Sequence, residues 1–219
     1  MKKIEDCNLY AFVDGAYLRN RTPEELARSL VQGGADIIQL RLKDWSEQKA
    51  EEVAWKVLEV TRPAGIPLVI NDFPGVAART RVEYVHLGQE DFFETGHRFV
   101  HEIRDETGKE VSFGVGLSSH APEQALRAVE AGAAYLGVGP VFATRTKPQA
   151  VPVTLEYVRW AAKHIQIPWF AIGSVNLDNL SQIFEAGARR ICVVSDILLA
   201  QDVEKRCLLY RHVLDKHFS

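Results

Sequence analysis

The sequence predicts an α/β protein folded as a single (β/α)₈ TIM barrel over residues 1–219. Three observations carry that prediction. Eight short β-rich runs alternate with stretches of helical periodicity. A helix-closing Gly followed by Ala recurs ahead of an apolar strand in Gly34-Ala35-Asp36-Ile37, Gly132-Ala133-Ala134-Tyr135 and Gly187-Ala188-Arg189-Arg190-Ile191, as βα units wound in one direction require. Polar residues gather at the C-terminal ends of many strands rather than at one switch point, which favours a closed barrel over its rival, a doubly wound open sheet.

The strands are expected at 10–13, 37–41, 67–71, 84–87, 111–117, 135–139, 169–172 and 191–194. Thr22-Pro23-Glu24-Glu25 combines an N-cap, a first-turn Pro and a capping-box Glu, so a helix opens there. Ala50, Val53, Ala54, Val57 and Thr61 form the apolar face of the next helix at 3–4 spacing. Leu155, Val158, Ala162 and Ile165 do the same later, and Val203, Cys207, Tyr210 and Leu214 give the last helix its stripe. The stretch 80–110 has the weakest pattern. Thr95-Gly96 interrupts it, and a helix is expected only from about His97.

Composition narrows the function. Apolar residues make up 47% and charged residues 25%, ordinary values for a folded domain. With 26 Lys and Arg against 29 Asp and Glu, the net charge of −3 gives no general grip on nucleic acid or an anionic membrane. Neither is expected as a partner, and any phosphate site must come from locally placed charge. Cys7, Cys192 and Cys207 are odd in number and widely spaced, which argues against disulfides and zinc. The start turns acidic at Glu5-Asp6 before any apolar run, so no signal peptide is expected, and the apolar run 131–143 is too short to span a bilayer. A cytoplasmic protein acting on small molecules is the expectation. A homodimer is compatible with it, although nothing in the sequence sets the oligomeric state.

The most informative string is Gln39-Leu40-Arg41-Leu42-Lys43. Alternate strand residues share a face, so Gln39, Arg41 and Lys43 point into the barrel while the leucines pack outward against helices. Two inward cations are costly unless an anion arrives, so an internal salt bridge is the lesser reading. Asn71-Asp72 ends the third strand, and His86-Leu87-Gly88-Gln89-Glu90-Asp91 follows the fourth. Asp72 and Asp91 thus approach one another as a two-carboxylate set suited to Mg²⁺, with helix capping as the plainer alternative.

Ser118 ends the fifth strand as a ligand-facing hydroxyl, while Ser119 or His120 is expected to cap the following helix. The run Gly139-Pro140-Val141-Phe142-Ala143-Thr144-Arg145-Thr146-Lys147 supplies two hydroxyls, Thr144 and Thr146, and the point charge of Lys147 in an anion-binding loop. Gly173, Val194 and Ser195, after the last two strands, stand where barrels commonly bind a phosphate. The inventory is two anion-binding regions, one with a metal, and no activated protein nucleophile. It points to a group transfer that displaces diphosphate.

Taken together, these motifs resemble the thiamine-phosphate synthase (thiamine-phosphate diphosphorylase) family. The resembling strings are Gln39-Leu40-Arg41-Leu42-Lys43, Ile70-Asn71-Asp72, His86-Leu87-Gly88-Gln89-Glu90-Asp91, the loop from Gly139 to Lys147, Ala171-Ile172-Gly173 and Val193-Val194-Ser195. They cover the chain from the second strand to the eighth. The resemblance implies that hydroxymethylpyrimidine diphosphate is joined to a thiazole phosphate, giving thiamine phosphate and diphosphate by a dissociative, Mg²⁺-dependent substitution. By motif it assigns Gln39, Arg41, Lys43, Asn71, Ser118 and Lys147 to the pyrimidine diphosphate. Asp72 and Asp91 fall to Mg²⁺, and Thr144, Thr146, Gly173, Val194 and Ser195 to the thiazole phosphate. Arg41, Lys43, Lys147 and Ser118 would carry the catalytic step.

The chain departs from the family pattern at four places. Leu42 replaces an acidic residue between the cations but should face outward. Ser174 replaces the second Gly of a pair and is expected to tighten the phosphate loop. Asp196 follows Ser195, where a carboxylate repels phosphate unless it turns away. Arg189-Arg190 begins the last strand, at the end remote from the ligands. Rival readings are a thiazole tautomerase-like isomerase, a non-catalytic phosphate-ligand-binding paralogue, and another phosphate-binding barrel such as a sugar-phosphate epimerase. Retention of Asn71, Asp72 and Asp91 weighs against the isomerase. Asp196 and Ser174 are the paralogue's only support, and an epimerase needs an acid–base pair that the sequence does not offer.

Overall fold

A computed structural model describes residues 1–143 and 152–218. Thr144, Thr146 and Lys147 therefore lie outside the described residues. Eight strands, β1 (Leu9–Asp14), β2 (Ile37–Arg41), β3 (Leu68–Asn71), β4 (Tyr84–Leu87), β5 (Gly114–Ser119), β6 (Tyr135–Val138), β7 (Trp169–Ala171) and β8 (Ile191–Val193), close into a barrel in chain order. Every pairing is parallel. Closure is made by β1 on β8, with Leu9 opposite Ile191 and Ala11 opposite Val193. The predicted TIM barrel is therefore the observed one.

The local signals act as their chemistry requires. Helix α1 (Pro23–Gln32) opens with a full capping box. The Thr22 hydroxyl accepts from the Glu25 N–H, and the Glu25 carboxylate accepts from the Thr22 N–H at 2.7 Å. Gly34, Gly132 and Gly187 have φ of +79°, +89° and +98°, the left-handed turn from helix into strand that a side chain would strain. The stripe of α2 (Glu47–Thr61) is buried throughout, and so is that of α9 (Val203–Phe218). In α6 (Thr154–His164) the stripe is shifted by one residue, since Ala162 is exposed and Ala161 is buried instead.

Region 80–110 departs from expectation. Its helix, α4 (Gln89–Glu94), comes before Thr95-Gly96, and only a single 3₁₀ turn, Val100–Glu102, follows. Glu90 and Asp91 favour a helix start at this point through the helix dipole. Gly96, at φ +90°, then turns the chain away. A turn held by the Asp105 side chain and an antiparallel bridge of Arg104 to Glu110 take up the next residues, so β5 starts at Gly114 rather than at 111.

The barrel interior is aromatic. Phe170 meets Tyr10 and Tyr135 edge-on, at ring-centre distances of 5.1 and 5.8 Å. Glycine in β5 makes room for this packing, because a Cβ on Gly116 would lie 2.1 Å from the Tyr135 ring. The base of the barrel is held by charge. Buried Asp36 accepts from the N–H groups of Asn8 and Leu9 at 2.7 and 2.9 Å, pairs with Arg211 of α9 at 2.8 Å, and also pairs with Lys2. Arg190 donates to the Glu5 carbonyl at the same end, away from the ligand-facing rim as expected. No helix among the described residues is long and apolar enough to cross a membrane.

Burial works against the charge on Asp36. The hydrogen bonds from Lys2 and two backbone N–H groups, with Arg211, outweigh it and hold the carboxyl below the ordinary range. Its contribution to stability is thus complete above the unfolded-state value of about 4 and fades as pH falls through the lower folded-state value. Asp36→Asn is expected to lower the unfolding free energy by about 3 kcal/mol at neutral pH. It should also flatten the loss of stability below about pH 4, read as urea midpoints across pH.

Candidate active site

A cavity opens at the C-terminal rim of the barrel, and residues from all eight strands or their following loops reach it. Tyr10, Phe12, Tyr135 and Phe170 form its aromatic wall. The structure brings Gln39, Arg41, Asn71 and Ser118 into one side, with Gly173, Val194 and Ser195 on the side of β7 and β8. Lys43, Asp72 and Asp91 are not in the cavity wall; each follows a strand end at this rim and is exposed.

Strand β2 stops at Arg41, so alternation places Gln39 and Arg41 inward, whereas Lys43 falls in the turn beyond and faces solvent. Arg41 does not wait unpaired for an anion. Its Nη1 lies 2.9 Å from Oδ2 of Asp14, a fully buried carboxylate at the end of β1. The β1–β2 register sets these residues side by side. The internal salt bridge, the lesser reading of the sequence, is therefore the one observed. Asp14 also accepts from the Ala16 N–H at 2.9 Å, which pins its carboxylate.

Asn71 is buried at the end of β3 and donates from Nδ2 to Oδ2 of Asp72 at 2.6 Å. Asp72 sits in the left-handed region at φ +63°, a conformation Asp tolerates better than most residues, and its N–H bonds the His86 carbonyl of β4 at 3.0 Å. Asp91 lies in the first turn of α4, its carboxylate folded back over Gly88, where a Cβ would meet Oδ2 at 2.5 Å. It thus complements the helix N-terminus while remaining open to water. Ser118 accepts from the Gln89 N–H at 3.2 Å and so ties the start of α4 to β5.

Neither Ser119 nor His120 caps α5 (Pro122–Glu130), whose N-cap, Ala121, has no side-chain partner. The Ser119 hydroxyl instead donates to the Ala121 carbonyl at 3.2 Å and meets Tyr157 of α6. The His120 ring bonds the Gly139 carbonyl. Chain segments after β6 and β7 interlock here. A Cβ on Gly139 would lie 2.1 Å from the Ile172 carbonyl oxygen, and one on Gly173, at φ +110°, would lie 2.5 Å from Pro140. Ser174 takes the left-handed region at φ +50°, and its hydroxyl donates to the Ala143 carbonyl at 2.6 Å. It thereby ties the Gly173-Ser174 turn to Ala143.

Asp196 turns away from the cavity. Its Oδ2 accepts from the Tyr210 hydroxyl of α9 at 2.5 Å and lies 3.6 Å from Arg206. Cys192 does line the cavity, but burial pushes its thiol well above the ordinary value, so it is no thiolate nucleophile.

A family model described as thiamine monophosphate synthase matches residues 9–197. The chain belongs to the thiamine-phosphate synthase family. It is 44% identical over 197 residues to the thiamine-phosphate synthase of Thermus thermophilus, covering 89% of this chain and 88% of that protein. With the synthase of Halalkalibacterium halodurans it shares 36% over 214 residues, covering 97% and 98%. Among solved structures, a thiamine phosphate pyrophosphorylase from Pyrococcus furiosus superposes with a TM-score of 0.80 at 27% identity, over 97% of this chain and 98% of that one. Membership makes this barrel a transferase of thiamine biosynthesis.

Sequence reasoning missed Asp14, Tyr10 and Tyr135. The alternation Tyr10, Phe12, Asp14 along β1 is the signal that marks one inward face. Asp14→Asn is expected to cost about 1–3 kcal/mol. In a double-mutant cycle with Arg41→Met, the coupling should account for most of that loss, as measured by urea unfolding.

Asp196→Ala should leave the KM for a thiazole phosphate within about twofold while costing about 1 kcal/mol of stability, read by steady-state kinetics beside a thermal melt.

Proposed function

We propose that this chain condenses 4-amino-2-methyl-5-hydroxymethylpyrimidine diphosphate with a thiazole phosphate, releasing diphosphate and thiamine phosphate. The observation that carries this reading is the polarity of one cavity. A held guanidinium, Arg41, stands with Asn71 and Ser118 on one wall, and the Gly173, Val194 and Ser195 turns stand on the other. Two anionic substrates can then lie across a shared aromatic floor. The two residues that favoured a non-catalytic reading do not oppose it, since Asp196 faces α9 and Ser174 braces a loop.

In this reading Gln39, Asn71 and Ser118 hold the pyrimidine end, and Arg41 with Lys43 and Lys147 neutralises the diphosphate. Charge grows on the leaving oxygens as the C–O bond breaks, so fixed cations at that end lower the barrier more than they stabilise the bound substrate. The aminopyrimidine carries the positive charge left behind. Gly173, Val194 and Ser195, with Thr144 and Thr146, hold the thiazole phosphate so that the thiazole nitrogen is near the electron-poor carbon. No protein nucleophile is required, and the cavity's cysteine is a neutral thiol.

Asp72 and Asp91 offer oxygen donors only, follow neighbouring strands and are open to water. That set fits Mg²⁺, which binds through one or two carboxylates and fills its other positions with water and substrate phosphate oxygens. When bound, Mg²⁺ supplies further positive charge to the diphosphate.

Incubation with both substrates and Mg²⁺ should yield thiamine phosphate and diphosphate in equal amounts; no product under these conditions would sink the reading. Asp91→Ala is expected to reduce kcat/KM by roughly 10²-fold or more with an unchanged circular dichroism spectrum. Full activity in that variant would remove the metal assignment.

A further inference from the structure

The segment from Gly139 to Ala143 runs between the ends of β5 and β7, and its backbone is held on both sides. The Gly139 N–H donates to the Ser119 carbonyl of β5 at 3.1 Å. The N–H groups of Val141 and Phe142 donate to the Ile172 and Gly173 carbonyls after β7, at 2.8 and 3.3 Å. The Pro140 carbonyl accepts from the Val153 N–H at 2.8 Å, and the Ala143 carbonyl accepts from the Ser174 hydroxyl. At the other end, the Gly139 carbonyl is taken by the ring of His120, the residue after β5.

Gly139 has only backbone groups by which it can be held, because the Ile172 carbonyl fills the space a Cβ would need. The direction of the His120 bond is fixed by chemistry. A carbonyl only accepts, so Nδ1 of His120 carries a proton in either ionisation state of the ring, and the bond does not depend on its titration. The Gln124 side chain accepts from the His120 N–H at 2.7 Å and steadies the backbone from which the ring reaches across. This bond occupies the residue that the sequence offered as a cap for α5.

We infer that His120 is a positioning residue: its Nδ1–H sets where the segment after β6 crosses the end of β7, and through that segment it places the Gly173 turn. The second link is steric as well as hydrogen-bonded, since a Cβ on Gly173 would lie 2.5 Å from Pro140. A shift of Pro140 therefore presses on that turn or leaves it unsupported. On the function proposed above, which this last step assumes, His120 serves the thiazole phosphate and not the pyrimidine diphosphate. The ring also lines the cavity, so the competing role is a direct contact from Nε2 to a ligand.

Two substitutions separate these roles. The amide nitrogen of Asn can stand where Nδ1 stands, and that of Gln where Nε2 stands. The first arm of the test needs no substrate and follows hydrogen exchange of the Val141 and Phe142 amides by NMR. Both should exchange about tenfold faster in His120→Ala and His120→Gln, the scale of one lost hydrogen bond. His120→Asn should keep the wild-type rates. Wild-type exchange in His120→Ala, or faster exchange in His120→Asn, overturns the inference. If His120→Ala does not fold, Asn against Gln decides alone.

In the second arm, His120→Gln should raise the KM for the thiazole phosphate about tenfold, while His120→Asn keeps it within about twofold. The KM for the pyrimidine diphosphate should stay unchanged in both. The reverse order, with Gln near wild type and Asn impaired, would make Nε2 a ligand contact and overturn the positioning role. Absence of any turnover in the wild type, with the expected exchange pattern seen, would count against the reaction and not against the brace.

Discussion

Pairing of β1 with β8 is the constraint from which the rest of the molecule follows. An open sheet would leave two edges and spread its loops along a line. Closure abolishes the edges and gathers eight strand ends around a single mouth. Residues as far apart in sequence as Gln39 and Ser195 then share one cavity. Closure also makes the interior too narrow for idle polar groups, so each inward polar side chain must find a partner or a ligand.

Different partners are found at different depths. In the interior the tyrosine hydroxyls bond one another and the side chains of Gln39 and His86. At the rim Arg41 is held by Asp14, so its charge is in place and its direction set before any anion binds. A guanidinium offers five N–H donors, and one ion-pair contact leaves others for a phosphate. Beyond the rim Lys43, Asp72 and Asp91 are exposed, which suits the diphosphate and Mg²⁺ roles proposed for them. The gradient runs from a dry aromatic floor to a wet, charged mouth.

Much of this was legible in the sequence, and the exceptions share a cause. The strands are bounded by turn residues and apolar runs, so their order could be read directly, and so could their limits to within one residue except in β5. Motif residues at strand ends were legible because alternation gives their direction. Asp14 was not, because its role depends on which residue of β2 lies opposite, and register is a property of two strands rather than one. Tyr10 and Tyr135 are separated by 125 positions and look like core aromatics until the barrel brings their hydroxyls together. Helix α4, at six residues, is too short for periodicity to reveal, and Lys43 was misdirected by extending the strand two residues too far.

The Asp36 cluster has one further consequence. It binds the N-terminal segment, the turn into β2 and the last helix together at the end of the barrel remote from the cavity. Durability and substrate choice thus reside at opposite poles of the molecule. Divergence can rework the loops of one pole to suit new ligands while the ionic knot at the other keeps the scaffold folded, so the enzyme can explore new specificities without first becoming fragile.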